Sequence, residues 1–193
     1  MEKNIFWSYQ LRDIIAFMDK NWLLLIPFAF LLGYSIRSYK IYRFQNRGEE
    51  LITHTIIKNL PSTSWHLLNN ITLKTSDSTT QIDHILVSTY GVFVIETKHY
   101  TGWIFGDKNS KQWTQVLYGT KNRFQNPLHQ NYKHLKSVQA LLDFLPPEQV
   151  NSLVVFSGDA EFKTPMPTGV HSIETMLSYL KSLNQEVITK NKM

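Results

Sequence analysis

The sequence predicts an α/β domain with a central mixed sheet flanked by helices on both faces. Two observations support this fold class. Three strand-like apolar runs come first, and a long helical pattern and a further short apolar run follow them, an order typical of a sheet covered on both sides. The chain also has no cysteine, which excludes a small fold held together by disulfides or by thiolate-bound zinc.

The amino-terminal segment differs from the rest because residues 22–36 carry no charge. A membrane span needs roughly 20 apolar residues, so this run is somewhat short. Trp22 and Tyr34 stand near its two ends, as in aromatic belts, and Arg37 and Lys40 can extend outward to the interface. We therefore expect a single membrane-spanning anchor over residues 22–36.

The charges around this run predict its orientation. Basic residues without any acidic residue occupy 37–47, whereas acids and bases are mixed before the run, so the positive-inside rule places the carboxyl-terminal part in the cytoplasm. Upstream, apolar residues at helical spacing predict a short amphipathic helix at the membrane surface, or alternatively a core-packing helix. These residues are Trp7, Leu11, Ile14, Ile15 and Met18. The sequence thus divides into an anchor, residues 1–42, and a folded domain, residues 43–193.

The folded domain opens with a helix and three strands. A helical pattern over residues 43–60 ends at Pro61. Strand-like runs follow over residues 65–73, 81–88 and 91–98, and the last two are joined by a tight turn at Gly91.

The remaining elements complete the predicted α/β order. Two short strands form a small hairpin over residues 102–118, with a polar tip around Lys108. A long helix is predicted over residues 126–144, a buried strand over residues 153–156 and a last helix over residues 172–183. The tail from Gln185 onward is expected to fray.

Polar residues interrupt two of the strand-like runs and define a candidate site. Asp83 lies inside one apolar run, and Glu96 and Lys98 end the next. Glu96 and Lys98 share a face because side chains alternate along a strand, and a hairpin would bring Asp83 close to Glu96. Two carboxylates can bind Mg²⁺ with the aid of the Thr97 carbonyl, and the lysine can orient a water molecule or stabilise negative charge.

Other polar residues can join this site. Glu49, at the start of the first predicted helix, can reach the metal or its water, and Gln81 shares a strand face with Asp83. Gln130 lies near the start of the long helix, where it can address a phosphate. An ion pair on a solvated strand edge explains the Glu-x-Lys spacing equally well. A loose basic region that includes Lys121, Arg123 and Lys133 fits a phosphate backbone or an ordinary solvated surface.

Histidines are interpreted as packing or surface residues. His84 and His99 flank the candidate site and could move protons, but packing explains them more simply. His129 and His134 are five residues apart, a spacing that does not place both on one helical face for metal binding. Trp103, Phe105, Trp113 and Tyr118 fit either packing of the small hairpin or stacking on unpaired bases.

The order of these motifs resembles the NERD family, the nuclease-related domain of the PD-(D/E)xK restriction-endonuclease-like superfamily. The resemblance runs from Gly48 to the last helix. It is carried by Gly48-Glu49, Gln81-Ile82-Asp83-His84, the segment from Gly91 to Lys98, Gly102, Trp113, Asn126-Pro127 and Gln130. It implies the restriction-endonuclease-like αβββαβ core, catalytic roles for Glu49, Asp83, Glu96 and Lys98, and a supporting role for Gln130. Ile82 stands where the superfamily name has proline.

Together, the site chemistry and this resemblance predict a membrane-anchored nuclease that hydrolyses phosphodiester bonds of nucleic acid, DNA rather than RNA, with Mg²⁺ or Mn²⁺. Two alternatives keep the same fold. One is a nucleic-acid-binding module without useful catalysis, and the other is a membrane scaffold that binds protein. The net charge of +5 is compatible with a polyanionic partner but does not require one.

Overall fold

The structure is a computed structural model that describes the backbone of residues 2–75 and 78–189. Side chains in 2–11, 13–15, 17–19, 21–25 and 41–45 are outside the described part. The chain forms two compact units, Met1–Phe44 and Gln45–Met193.

The helices and strands follow one another along the chain in an α-β-α-β order. They are α1 (Glu2–Asn59), β1 (Trp65–Lys74), β2 (Thr79–Ser88), β3 (Gly91–Lys98), β4 (Gly102–Phe105), β5 (Gln112–Leu117), β6 (Thr120–Gln125), α2 (Pro127–Leu141), β7 (Val150–Phe156), β8 (Ala160–Phe162), β9 (Val170–Ser172) and α3 (Ile173–Ser182). A single 3₁₀ turn, Pro147–Gln149, precedes β7.

Helix α1 joins three segments that the sequence predicted as separate elements. The predicted surface helix, the predicted span and the predicted helix over residues 43–60 are all parts of one helix, which includes Pro27. Among the described residues, no helix combines the length and the apolar character that crossing a membrane requires. The first residues of the predicted span, 22–25, and the apolar side chains of the predicted surface helix lie outside the described side chains.

The strands of the second unit form two mixed sheets. The first sheet has the order β1-β2-β3-β7-β9, and the second has the order β6-β5-β4-β8. In the first sheet β1, β2 and β3 are antiparallel neighbours, whereas β3, β7 and β9 are parallel. The mixed α/β class is therefore confirmed, and β6, β8 and β9 are strands that the sequence pattern did not indicate.

Alternation along β3 supplies two cores, one on each face of the first sheet. Phe93 packs in a cluster with residues of α1 and α3, such as Ile52 and Met176. Val94 packs on the opposite face in a cluster with Val138 of α2. The helices therefore cover both faces, as predicted, and the face that carries Val94 also carries Glu96 because the two are separated by one residue.

The end of the chain departs from the predicted frayed tail. Ile188 is buried in the cluster on the α2 face, and the amides of Val187 and Ile188 both donate to the carbonyl of Thr89. These bonds fix residues 187–188 against the turn between β2 and β3.

Candidate active site

Asp83 and Glu96 meet where β2 and β3 diverge. The strands pair from His84 with Ile95 to Ser88 with Gly91, so Asp83 and Glu96 stand one step beyond the last pair. The Oδ2 atom of Asp83 accepts a hydrogen bond of 2.8 Å from the backbone amide of Thr97. This bond fixes the carboxylate beside β3, as the hairpin argument predicts.

Glu96 is the buried centre of the site, with 2% of its surface exposed. Its Oε1 atom accepts a hydrogen bond of 2.6 Å from Nζ of Lys98. Its Oε2 atom lies 3.3 Å from Nε2 of His134 on α2, yet neither of these two atoms has a well-aligned hydrogen bond within the described residues. The contact directs the imidazole toward the carboxylate, and Oε2 retains capacity to bind another group.

Helix α2 presents two polar side chains to the Glu96–Lys98 pair. Gln130 accepts a hydrogen bond of 3.1 Å from Nζ of Lys98, and His134 follows one helical turn later on the same side. The Nδ1 atom of His134 lies 2.8 Å from Oγ1 of Thr80 on β2. A chain of contacts therefore runs from Thr80 through His134 to Glu96.

Buried asparagines fix the position of α2. Asn126 caps the helix by accepting from the amide of Leu128, and its Nδ2 group donates to three carbonyls of the β4–β5 loop. Asn131 donates to the carbonyls of Val94 and Leu153 in β3 and β7. These bonds hold Gln130 and His134 against the first sheet.

Gly48 allows α1 to approach the same region closely. A Cβ atom at this position would lie 2.7 Å from both Cβ of His99 and Oγ of Ser157, a distance that side chains do not tolerate. The glycine is therefore required by the close approach of α1 to β3 and β7. The next residue, Glu49, is partly buried and interacts electrostatically with Glu96 and Lys98.

The carboxylates oppose one another's ionisation. Burial, followed by the charge of Glu96, raises the pKa of Asp83 to about 7, despite the amide bond from Thr97. Burial and the charge of Glu96 also raise the pKa of Glu49. Burial alone would raise the pKa of Glu96, but the contacts from His134 and Lys98 outweigh it and hold that pKa below its ordinary value.

This surplus of negative charge suits a divalent cation. Three carboxylates interact with one another while Lys98 is the cation that counters each of them. Oxygen ligands of this kind are those that Mg²⁺ and Mn²⁺ prefer, with waters completing the shell. Across the described residues, no three His, Cys, Asp or Glu side chains converge as a complete metal-binding cluster.

Several predicted residues lie elsewhere. Gln81 is exposed, and its Nε2 group donates to Oδ1 of Asn70 on β1, at 3.3 Å, rather than to Asp83. Lys121 and Arg123 lie on β6 of the second sheet. Lys133 is an exposed residue of α2.

The sequence interpretation missed His134 and Thr80. The comparison of His134 with His129 tested the wrong spacing, because the partner of His134 on its helical face is Gln130, four residues earlier. Thr80 is distant from His134 in the sequence, and only the fold brings it to the imidazole ring. His84, by contrast, is buried and bonded to Asn69, and burial lowers its pKa to about 4, in agreement with a packing role.

Comparison with known proteins gives a family match over the same residues. Residues 45–157 match the family model described as the nuclease-related domain, NERD. This range contains Glu49, Asp83, Glu96, Lys98 and Gln130. An uncharacterized protein of Bacillus anthracis is 35% identical over 152 residues, which cover 78% of this chain and 69% of that relative.

Proposed function

This chain belongs to the nuclease-related domain family, and on that premise we propose that it hydrolyses phosphodiester bonds of nucleic acid, DNA rather than RNA, with Mg²⁺ or Mn²⁺. The observation that carries the proposal is the group of mutually repelling carboxylates around Lys98. A surplus of buried negative charge costs stability, and a divalent cation would offset that cost.

The proposed roles follow from the positions of the side chains. Asp83, Glu96 and the carbonyl of Thr97 would hold the cation, which when bound supplies a Lewis acid and favours ionisation of water. Lys98 orients or deprotonates the attacking water and stabilises negative charge on the phosphate. Gln130 restrains Nζ of Lys98, and Glu49 polarises the same water from the side of α1.

His134 adds a positioning role to this set. We assign the Thr80 hydroxyl as the donor to Nδ1, an assignment that places the ring proton on Nε2, which faces Oε2 of Glu96. The imidazole can then hold the carboxylate without adding a positive charge. Such support orients a metal ligand before the metal arrives.

The element order supports a restriction-endonuclease-like core. Helix α1, strands β1–β3, helix α2 and strand β7 follow the αβββαβ order, with the β4–β6 hairpins inserted before α2. The strand hairpin that bears Asp83 and Glu96 lies at the centre of this order.

Anchorage to a membrane through residues 22–36, with the second unit in the cytoplasm, remains part of the proposal. In the described part of this segment, large apolar side chains such as Phe28, Phe30 and Leu31 are more than half exposed. A lipid environment would cover them. Flotation of the full chain with anionic liposomes, compared with a Phe30→Lys variant, tests this anchorage.

The enzymatic proposal is tested by cleavage of labelled duplex and single-stranded DNA by the full chain in detergent with Mg²⁺. Asp83→Asn and Lys98→Met should each lower the rate by about 10²–10⁴-fold, because each removes a group that acts on the reacting atoms. EDTA should abolish cleavage. The matched controls are Asp143→Asn and Lys58→Met, two exposed positions outside the site, and these should cleave normally.

Cleavage that survives EDTA or the Asp83 and Lys98 substitutions would refute the assignment. Metal-independent binding of DNA with no cleavage in either metal would instead support a binding module.

A further inference from the structure

One face of the second sheet carries aromatic and basic side chains together. The strand register aligns Trp103 with Val116 and Lys121, and it aligns Phe105 with Thr114 and Arg123. Directly opposed residues share a face, as do residues two apart on one strand. Trp103, Phe105, Lys121 and Arg123 therefore lie on one surface, which we call the aromatic–basic face.

The opposite side of this sheet is the one that packs against the core. Ile104 and Trp113 on that side are fully buried. The ring of Trp113 stacks on Phe156 with centroids 6.2 Å apart. The core is thus closed by its own aromatic residues, and packing of the hairpin does not explain the rings on the outer side.

The outer rings are exposed to solvent. Trp103 is 49% exposed, Phe105 37% and Tyr118, at the β5–β6 turn, 99%. A concave region of about 670 Å³ is lined by Trp103, Val116 and Tyr118, and also by Asp159. A flat ring could enter there and contact both aromatic side chains.

The charges on the face favour a polyanion. Lys121 and Arg123 are exposed and make no ion pair with any residue that the structure describes. On the other side of Trp103, Nζ of Lys163 lies 4.8 Å from the ring centroid, and Lys163 pairs with Glu161. Among the described residues, Lys121 and Arg123 therefore carry unbalanced positive charge on this face, whereas Lys163 and Glu161 balance each other.

The face also begins close to the candidate active site in the chain. Only residues 99–101 separate Lys98 from the start of β4. Burial raises the pKa of Tyr100 in this link, and the charges of Lys98 and Glu96 also act on its hydroxyl.

We propose that the aromatic–basic face binds single-stranded DNA, with bases stacked on Trp103, Phe105 and Tyr118 and phosphates paired with Lys121 and Arg123. The inference rests on the proposed nuclease function and names its substrate class. Duplex DNA hides the faces of its bases, so it cannot use the exposed rings, whereas every unpaired base offers a π-face. The combination of stacking rings and unpaired cations is the arrangement that unpaired strands require.

The experiment measures binding of fluorescein-labelled dT20 to the full chain by anisotropy, in EDTA so that no cleavage occurs. Trp103→Ala should raise the Kd about tenfold through loss of base stacking. Trp103→Phe keeps a ring and should stay within about threefold of the wild type. The matched control is Phe144→Ala, an equally exposed aromatic residue after α2, which should not change the Kd.

The basic side of the face is tested by salt dependence. For single strands, the slope of log K against log salt changes by about 0.7 for each phosphate that the protein neutralises. The double variant Lys121→Gln, Arg123→Gln should therefore reduce the magnitude of the slope by about 1.4. Lys58→Gln, an exposed lysine of α1, should leave it unchanged.

Wild-type affinity for dT20 in Trp103→Ala, in a variant with a normal circular dichroism spectrum and melting curve, would overturn the proposal. An equal rise of the Kd in Phe144→Ala, or tighter binding of a 20-base-pair duplex than of dT20, would do the same. These outcomes are distinct from failure of the nuclease assignment, because cleavage of duplex DNA by the full chain with Mg²⁺ is measured separately.

Discussion

The two sheets of the second unit differ in how far their polar and aromatic side chains are buried. On the first sheet, Glu96 is buried and is surrounded by Lys98, Gln130 and His134. On the outer face of the second sheet, by contrast, Trp103, Lys121 and Arg123 are exposed to solvent. The first arrangement holds groups in fixed positions at a cost in stability, and the second leaves groups available at little cost.

The two arrangements suit two different functions. Chemistry requires charged groups that are desolvated and held in place before substrate arrives. Binding of a flexible strand requires rings and cations that the strand can reach. Substitutions should therefore affect stability and metal affinity on the first sheet, and mainly binding on the second.

The largest effect is expected from Asp83→Asn on the pH dependence of stability in EDTA. The pKa of Asp83 is raised to about 7 from an ordinary value of 3.8. Between these values the folded state keeps a proton that the unfolded state has released, so the Asp83 contribution destabilises the fold increasingly as pH rises. The free energy of unfolding of the variant should exceed that of the wild type by a few kcal/mol at pH 8, and by little at pH 4.

Asp107, in the β4–β5 loop of the second sheet, provides a comparison of opposite sign. The Ser110 hydroxyl and the amides of Asn109 and Ser110 bond to this exposed carboxylate and hold its pKa below the ordinary value. Its contribution is therefore stabilising, is present above the unfolded pKa and is lost as pH falls through the folded pKa. Asp107→Asn should destabilise the protein at neutral pH. If urea denaturation gave both variants the same sign, the contrast between the sheets would be wrong.

A smaller effect is expected from the contacts that support Glu96. His134→Ala should weaken binding of Mn²⁺ about 10–100-fold, because loss of a side chain that supports a metal ligand typically lowers metal affinity by this factor. Thr80→Val removes the hydroxyl that contacts Nδ1 of His134 but keeps the shape of the side chain, and it should reproduce part of this effect. The readout is the Kd for Mn²⁺, measured by electron paramagnetic resonance. This affinity reports on the metal ligands rather than on the rigidity of the whole domain.

The matched control for His134 is His129→Ala, on the same helix but bonded to the Lys108 carbonyl. Unchanged Mn²⁺ affinity in His134→Ala and Thr80→Val would show that His134 only fills space. Recovery of affinity in His134→Gln, whose amide can donate from a similar position, would support the positioning role.

Features that depend on residues close together in the sequence could be predicted, whereas features that depend on the packing of distant elements could not. The prediction that Asp83 lies close to Glu96 was correct, because it depends only on strand alternation and one tight turn. The contact between His134 and Glu96 depends on how α2 packs across the sheet, which no local pattern specifies. Gln81 was assigned to the site by alternation alone, and its bond to Asn70 on β1 shows that a shared face does not determine the partner.

Helix α1 and the second sheet show the same limit. The predicted elements within residues 2–60 rested on a change in composition, yet the only Gly or Pro residues before the predicted boundary at residue 43 are Pro27 and Gly33. Neither residue stops the helix. Lys121 and Arg123 were grouped with Lys133 by charge alone, whereas the register of β6 places the first two beside Trp103 and Phe105. Pairing of strands, rather than composition, creates that face.

The smallest effect on stability is expected at Tyr118, in the turn between β5 and β6 of the second sheet. Tyr118 has φ of 48° and Gly119 φ of 78° in the two-residue turn between Leu117 and Thr120. Both central residues of such a turn need positive φ, which asparagine adopts more readily than tyrosine. Tyr118→Asn should therefore raise the free energy of unfolding by a few tenths to about 1 kcal/mol, measured by urea denaturation.

The same substitution should weaken dT20 binding severalfold, because it removes an exposed ring. Gly119→Ala controls for the turn: no atom lies within 4 Å of the added Cβ, so its expected cost of about 1 kcal/mol reports backbone strain alone. A gain in stability together with weaker binding means that the tyrosine is retained for contact with the strand despite its strain. If stability rose while binding stayed constant, Tyr118 would be removed from the aromatic–basic face and Trp103 and Phe105 would carry the stacking.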